Sequence, residues 1–446
     1  MTTFLSLFYY FLYKILNINL VIITCICYYI NNIYDNFIIF YQHISKLIII
    51  LILLFKLKGD KYMKKKLLSG ILISAMAVTL LAGCSGNTAG GGGNGDTIKI
   101  GAIGPLSGAA STYGVSVKEG AQLLEKEVND AGGINGKKIK FVFEDDQADP
   151  NSSMQAFNKL VDDEKVCAIL GPVTSGATLA VAPNATSKQI PMITPTATEP
   201  TITKVGGDYM FRGCFVDSFQ GDVLAKYATE KLGKKTAAVL YNSGSDYSKG
   251  IADSFKAKFE GAGGQVGEFL TYNDKDTDFK AQLTKIKSLN PDVIVLPDYY
   301  NVVGLIAKQA RDMGITSQFL GGDGWESEEL TKIGGKAVDG ALYINHYYSG
   351  DSDENVKKFV ESYKKEYNKE PDAFAALSYD TSKILVKAIE KAGKTDGAVI
   401  KDALAGMEMN SVTGNIKFGS DRSAIKSAAI IKVDGDKKVL AGKVNP

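Results

Sequence analysis

Histidine is nearly missing from this chain: two occur in 446 residues, His43 and His346. A catalytic centre that relies on imidazole therefore has little to be built from. None of the five cysteines stands at a spacing that suits zinc. Charge of one sign is not in excess either, with 51 Lys and Arg against 49 Asp and Glu, and nothing argues for nucleic acid. Apolar runs are short. Leu47–Phe55 is continuous apolar sequence but falls well below the roughly 20 residues a membrane-spanning helix needs.

What is present changes character along the chain. Residues 1–62 are crowded with Ile, Leu, Phe, Tyr and Asn. They are followed by Met63-Lys-Lys-Lys, an apolar core and Leu81-Ala-Gly-Cys84. A basic start, an apolar core and a small-residue cleavage region form a complete export signal, spanning 63–83. Because such signals begin at an N-terminus, residues 1–62 are expected to be upstream sequence and not part of the native protein. A genuine extra membrane segment is the alternative. Leu81-Ala-Gly-Cys84 resembles the lipobox of bacterial lipoproteins, which implies lipidation of Cys84 and an acyl anchor in place of a spanning helix. A plain secretory signal that happens to contain Cys is the other reading.

From Cys84 onward 363 residues remain, enough for two core-bearing domains. The first 83 residues hold eight lysines and two aspartates, leaving 43 basic against 47 acidic residues. That part is therefore mildly acidic, contrary to the whole-chain pI. Residues 84–96 are rich in Gly, Ser and Asn and read as a flexible tether. Cys167 lies in an apolar run and reads as a small core residue; a disulfide with Cys214 stays open.

Strand-like and helix-like segments then alternate. Strands are expected at 97–103, 138–143, 166–170 and 192–194, with helices at 115–131 and 152–161. The pattern restarts with helices at 219–232, 248–261, 279–288 and 302–313 between strands at 236–241, 265–272, 291–296 and 318–320. Amphipathic helices follow at 355–367 and 378–392. Alternation of this kind predicts α/β architecture, with parallel sheets covered on both faces. Two such units without a polar linker suggest two lobes sharing a hinge.

Some motifs tempt and fail. Gly101-Ala-Ile-Gly104-Pro-Leu-Ser-Gly108 sits between strand and helix, but its spacing is not a dinucleotide fingerprint and Pro105 removes an amide. Gly133-Ile-Asn-Gly136-Lys-Lys lacks the Ser/Thr of a phosphate loop. Glu144-Asp145-Asp146 follows a strand and reads as solvent-facing or hinge-related. Gly244-Ser245-Asp246 has no nearby base for a nucleophile. No cofactor is called for, and the chain does not read as an enzyme.

The stretch from Ala168 to Pro200 holds more. Twice a short apolar run ends in a Gly/Pro turn followed by Ser or Thr: Gly171-Pro-Val-Thr-Ser-Gly and Ile193-Thr-Pro-Thr-Ala-Thr-Glu-Pro. Ligands of open α/β sheets bind outside the carboxyl ends of such strands. Ordinary Ser/Thr-capped turns are the alternative. These motifs occur in order with Gly104-Pro-Leu-Ser-Gly, Tyr113-Gly, Ala131-Gly-Gly-Ile-Asn-Gly and Asp145-Asp…Asp149-Pro. Asp246-Tyr-Ser-Lys-Gly, Tyr299, Arg311-Asp-Met-Gly, Gly322-Asp-Gly and Tyr379-Asp follow. Together they resemble the branched-chain amino-acid binding proteins of ABC importers, from about Thr97 to the C-terminus.

The resemblance implies a two-lobed Venus flytrap of the type I periplasmic binding-protein fold, with three hinge segments. Lobe 1 is expected at 97–216 and 348–428, and lobe 2 at 217–347 and 429–446. By motif position, Ser175 and Thr198 would bond an α-carboxylate, aided by amides near Val173 and Thr196, with Thr174 beside them. Asp323 and the Thr196 carbonyl would receive the α-ammonium. Tyr113, Tyr247, Tyr299 and Phe374 would line the pocket. Two departures stand out: Ala148 and Thr174 occupy positions where many relatives carry a local disulfide, and Asp323 replaces a more usual Glu. The implied protein is a lipid-anchored, extracytoplasmic bacterial monomer that passes an aliphatic amino acid to a permease with its ATPases. Another amino acid, a short amide or a sensing role are the alternatives, and a nucleotide-dependent oxidoreductase lacks its motif.

Overall fold

Each apolar run ends at a turn, and the runs assemble into two separate sheets. The computed structural model describes residues 97–445; the export signal, Cys84 and the tether lie outside them. The first sheet contains β1 (Ile98–Gly104), β2 (Ile139–Asp145), β3 (Ile169–Leu170), β4 (Met192–Thr194) and β5 (Met210–Arg212), in the order β2-β1-β3-β4-β5 and all parallel. Helices connect them: α1 (Ser111–Asp130), α2 (Pro150–Asn158), α3 (Ser175–Ser187) and the short α4 (Ile202–Gly206). Central strands are buried on both faces, which is why β3 and β4 read as continuous apolar runs and not as alternations.

The second sheet is larger. After α5 (Asp217–Lys226) come β6 (Thr236–Asn242), α6 (Asp246–Gly261), β7 (Gln265–Tyr272), α7 (Lys280–Leu289), β8 (Val293–Val295), α8 (Tyr300–Asp312) and β9 (Gln318–Gly321). A short helix, α9 (Glu329–Gly334), precedes β10 (Leu342–Asn345). These strands run parallel, and β13 (Ala428–Asp434) and β14 (Lys437–Val444) close the sheet as antiparallel neighbours in the order β14-β13-β10-β9-β8-β6-β7. Before that closure, α10 (Glu354–Tyr367), α11 (Ala373–Ala392) and α12 (Gly397–Ala405) return to the first sheet, where α10 and α11 pack on α1. The small hairpin of β11 (Glu408–Ser411) and β12 (Gly414–Lys417) stands apart from both sheets.

The chain therefore passes between the sheets three times: after β5, after β10, and between β12 and β13. Two α/β lobes joined by three segments form the Venus-flytrap architecture.

Local chemistry fixes the helix ends. Asp149 accepts a hydrogen bond from the Ser152 amide at 2.8 Å, with Pro150 in the first turn, so the Asp-Pro pair starts α2. Ser245 caps α6 and Asp353 caps α10 in the same way. Asp372 accepts from the Ala375 amide at 2.8 Å and starts α11 five residues earlier than the periodicity predicts. Helices α2 and α5 each finish in a π turn, Lys159–Asp163 and Tyr227–Lys231, where a single longer helix is expected. Among the described residues no helix is long and apolar enough to cross a membrane.

Candidate functional site

The turns after β3 and β4 face the turn after β9 across the cleft between the lobes. At the end of β3, Gly171 has φ +106° and a Cβ there would stand 2.3 Å from the Ile103 carbonyl oxygen, so only glycine fits. The chain then enters α3 through Thr174, whose side chain makes no capping bond. Its buried hydroxyl has no partner in the protein. First-turn amides of a helix lack intrahelical acceptors and carry the positive end of the helix dipole, so this end favours a negative group.

Hydroxyls of the second turn stiffen the same wall. Thr194 donates to the Pro172 carbonyl at 2.7 Å, and Thr196 donates to the Val173 carbonyl at 2.7 Å. The Glu199 amide donates to Ser175 Oγ at 3.3 Å. These bonds lock the two turns together.

The facing wall carries a carboxylate. Asp323 is 3% exposed, in a short 3₁₀ turn (Asp323–Trp325) after β9. Tyr247, in the first turn of α6, donates its hydroxyl to Asp323 Oδ1 at 2.8 Å, while His346 Nε2 lies 2.9 Å from Oδ2. The Asp323 amide donates to Gln220 Oε1 at 2.9 Å, and Gln220 Nε2 donates to the buried Asp217 at 3.2 Å. Burial pushes the Asp217 carboxyl well above the ordinary range.

An aromatic wall joins the lobes. Phe374 stacks on Tyr113 at 4.3 Å, Tyr113 meets Tyr299 edge-on at 5.5 Å, and Tyr299 stacks on Tyr247 at 5.1 Å. Burial raises the Tyr113, Tyr247 and Tyr299 hydroxyls well above their usual range, so all three are neutral donors. Tyr299 is itself fixed by Asp298, which accepts its amide at 2.7 Å.

All ten residues singled out in the sequence line one cavity: Tyr113, Val173, Thr174, Ser175, Thr196, Thr198, Tyr247, Tyr299, Asp323 and Phe374, joined by Gly324. About 250 Å³ of space free of protein atoms, open solvent included, lies among them. Asp323 is the one charged side chain in the lining. A Cβ on Gly324 would come within 2.8 Å of the Tyr247 hydroxyl, so the absent side chain keeps that wall open.

A family model described as "Periplasmic binding protein" matches residues 97–438. The chain belongs to that family. This periplasmic binding protein is 33% identical over 323 residues to the leucine-, isoleucine-, valine-, threonine- and alanine-binding protein of Pseudomonas aeruginosa, covering 72% of this chain and 86% of the relative. The branched-chain amino-acid binding protein LivJ of Streptococcus pneumoniae, solved with isoleucine, superposes with a TM-score of 0.75 at 38% identity, over 79% of this chain and all of that one. The leucine-binding protein LivK of Thermotoga maritima gives 0.75 at 37% identity, over 78% and 99%. The family comprises non-catalytic, extracytoplasmic solute-binding proteins that work with the permease and ATPase of an ABC importer. Among the described residues no cluster of His, Cys, Asp or Glu could hold a metal ion.

Other parts of the site carry little sequence signal. His346, Gln220 and Asp298 belong to no motif that names a role, and Gly324 stands in Gly322-Asp-Gly without a role of its own. The Pro297-Asp298-Tyr299-Tyr300 run and the solitary His346 are the available hints. Trp325 does not line the cavity: its Nε1 donates to the Leu296 carbonyl at 2.9 Å, and it packs tightly on Gly321. Asp146 is fully buried and accepts from Ser153 at 2.7 Å, so it is not the solvent-facing residue the acidic run suggests.

Proposed function

We propose that this periplasmic binding protein captures a branched-chain aliphatic amino acid between its lobes and delivers it to an ABC permease. One observation carries the reading: a single buried carboxylate without a cationic partner faces the uncapped N-terminus of α3 across the cavity between the lobes. A zwitterion complements that arrangement, since its ammonium balances Asp323 and its carboxylate meets hydroxyls and amides. The names of the similar binding proteins point to the same ligand class.

In this reading Ser175, Thr198 and the amides near Val173 and Thr196 hold the α-carboxylate, with Thr174 beside them. Asp323 and the Thr196 carbonyl hold the ammonium, and Tyr113, Tyr247, Tyr299 and Phe374 surround the side chain. Lobe 1 comprises 97–216 and 348–428, and lobe 2 comprises 217–347 and 429–446. Cys84 is the lipid-anchored first residue after cleavage of 63–83, 84–96 is the tether, residues 1–62 lie upstream of the native protein, and the protein acts as a monomer.

A thermal-shift screen over the amino acids, followed by calorimetry, tests the ligand class, because a ligand that binds only the folded state raises its apparent stability. Leucine, isoleucine or valine should give the largest shifts. A screen in which none of them shifts the transition overturns the proposal.

A further inference from the structure

His346 stands where the chain leaves β10 for α10, within the second of the three passages between the lobes. Its ring stacks on Phe215 with centroids 3.5 Å apart, and Phe215 lies in the first passage, between β5 and α5. Nε2 reaches Asp323 in the ligand cavity. The same residue lines a second cavity with Tyr347, Ser411 and Thr413, about 650 Å³ of space beside the second and third passages. The imidazole is thus the partition between the ligand cavity and a polar hollow at the hinge.

The hydrogen-bond inventory fixes its form. An ionised carboxylate only accepts, so Nε2 carries the proton toward Asp323. Nδ1 is buried with no partner in the protein. In the neutral ring Nδ1 is an acceptor left without a donor; in the charged ring it would be a buried N–H in need of an acceptor that the protein does not provide. Burial pushes the imidazole below its ordinary pKa. The charged groups facing it are Asp323, Glu326 and Lys426, with Asp351, Asp353 and Lys443 lining the hinge cavity. Glu326 is already paired with Lys438 at 2.9 Å and Asp351 with Lys443.

We propose that His346 is the positioning residue for ammonium capture, aiming Asp323 into the ligand cavity through its Nε2–H and tying that carboxylate to two hinge passages. The proposal rests on the amino-acid reading above. Its consequence is proton-linked release. An imidazolium would be a second cation on Asp323, competing with the ligand's ammonium. Ligand binding therefore disfavours the protonated ring, and by linkage affinity is full above the pKa of unliganded His346 and falls as the pH drops through it.

The test is calorimetry of leucine binding to the full chain between about pH 5 and 8, with His346→Gln and His346→Leu. Gln keeps an amide donor near the Nε2 position and cannot titrate. His346→Gln should bind near wild-type strength at the upper pH and lose the acid fall-off, whereas His346→Leu should bind roughly tenfold or more weakly. Wild-type affinity in His346→Leu, or an unchanged acid fall-off in His346→Gln, overturns the proposal. Should His346→Leu fail to fold, the wild-type His346 imidazole NMR titration decides: leucine should lower its pKa, and an unmoved pKa overturns the proposal. If wild type binds no amino acid at any pH, the amino-acid reading itself falls; if it binds while the variants behave alike, only the role of His346 falls.

Discussion

The Tyr113 hydroxyl, on α1 of the first lobe, donates a hydrogen bond to the backbone carbonyl of Gly324 in the second, 211 residues further along the chain. Tyr300 adds a parallel link, donating its hydroxyl to the Ala109 carbonyl at 2.7 Å. These bonds run from one lobe to the other, and Tyr113 is buried, so they can form only when the lobes are shut. Tyr113→Phe keeps the stack on Phe374 and removes the bond. A neutral hydrogen bond contributes about 1 kcal/mol net, so calorimetry should find amino-acid affinity reduced roughly fivefold. Melting in the absence of ligand should change much less. Unchanged affinity would mean that closure does not depend on this contact.

Asp323→Asn removes the one charge in the cavity while keeping its size. An ammonium left without a carboxylate in a desolvated site costs on the order of 2–5 kcal/mol, so binding should become difficult to detect at micromolar ligand. Thr198→Val acts on the opposite wall and should weaken binding through faster dissociation more than slower association, because a buried contact is lost and not a steering charge. Stopped-flow measurement separates the two rates. Full affinity in Asp323→Asn would remove the ammonium assignment.

The order of strands and helices was legible because buried parallel strands are uninterrupted apolar runs and their connecting helices keep a 3.6-residue stripe. Six of the ten cavity residues are legible because Gly171-Pro-Val-Thr-Ser, Thr196-Ala-Thr and Gly322-Asp-Gly mark strand ends, whereas Tyr113, Tyr247, Tyr299 and Phe374 follow only from the family resemblance. The hairpin of β13 and β14 went unseen although Gly435-Asp436 is a two-residue loop with Gly435 at positive φ. Short β5 and β10 have too few residues to show any period. His346 escaped for a different reason: its part depends on stacking against Phe215, 131 positions away in the chain, and no local pattern encodes that.

Cys167 and Cys214 are both free and buried, which answers the disulfide question that spacing left open. Burial raises the Cys167 thiol to about 12 and the Cys214 thiol further still, so neither forms the reactive thiolate near neutral pH. Maleimide labelling followed by peptide mass mapping should leave both unmodified in the folded protein and modify both in denaturant. Reducing agent should not shift the melting temperature through this pair. Rapid native labelling of Cys214 would place it outside the packed hinge region.

Asp298 sets a pH dependence of folding that is separate from ligand binding. It is 3% exposed, and burial raises its pKa to about 6, against about 3.9 in an unfolded chain. Between those values the folded protein binds the proton more tightly than the unfolded one, so this residue's contribution to stability falls as pH rises from about 4 to about 6. Asp298→Asn cannot ionise, yet its carbonyl can still accept the Tyr299 amide and its NH₂ can donate to the Tyr272 hydroxyl. Melting followed across that window should therefore show a shallower pH slope in the variant, with stability at neutral pH equal to wild type or higher. An identical slope in both proteins would mean that Asp298 keeps its charge in the fold, solvated by water entering beside Tyr272.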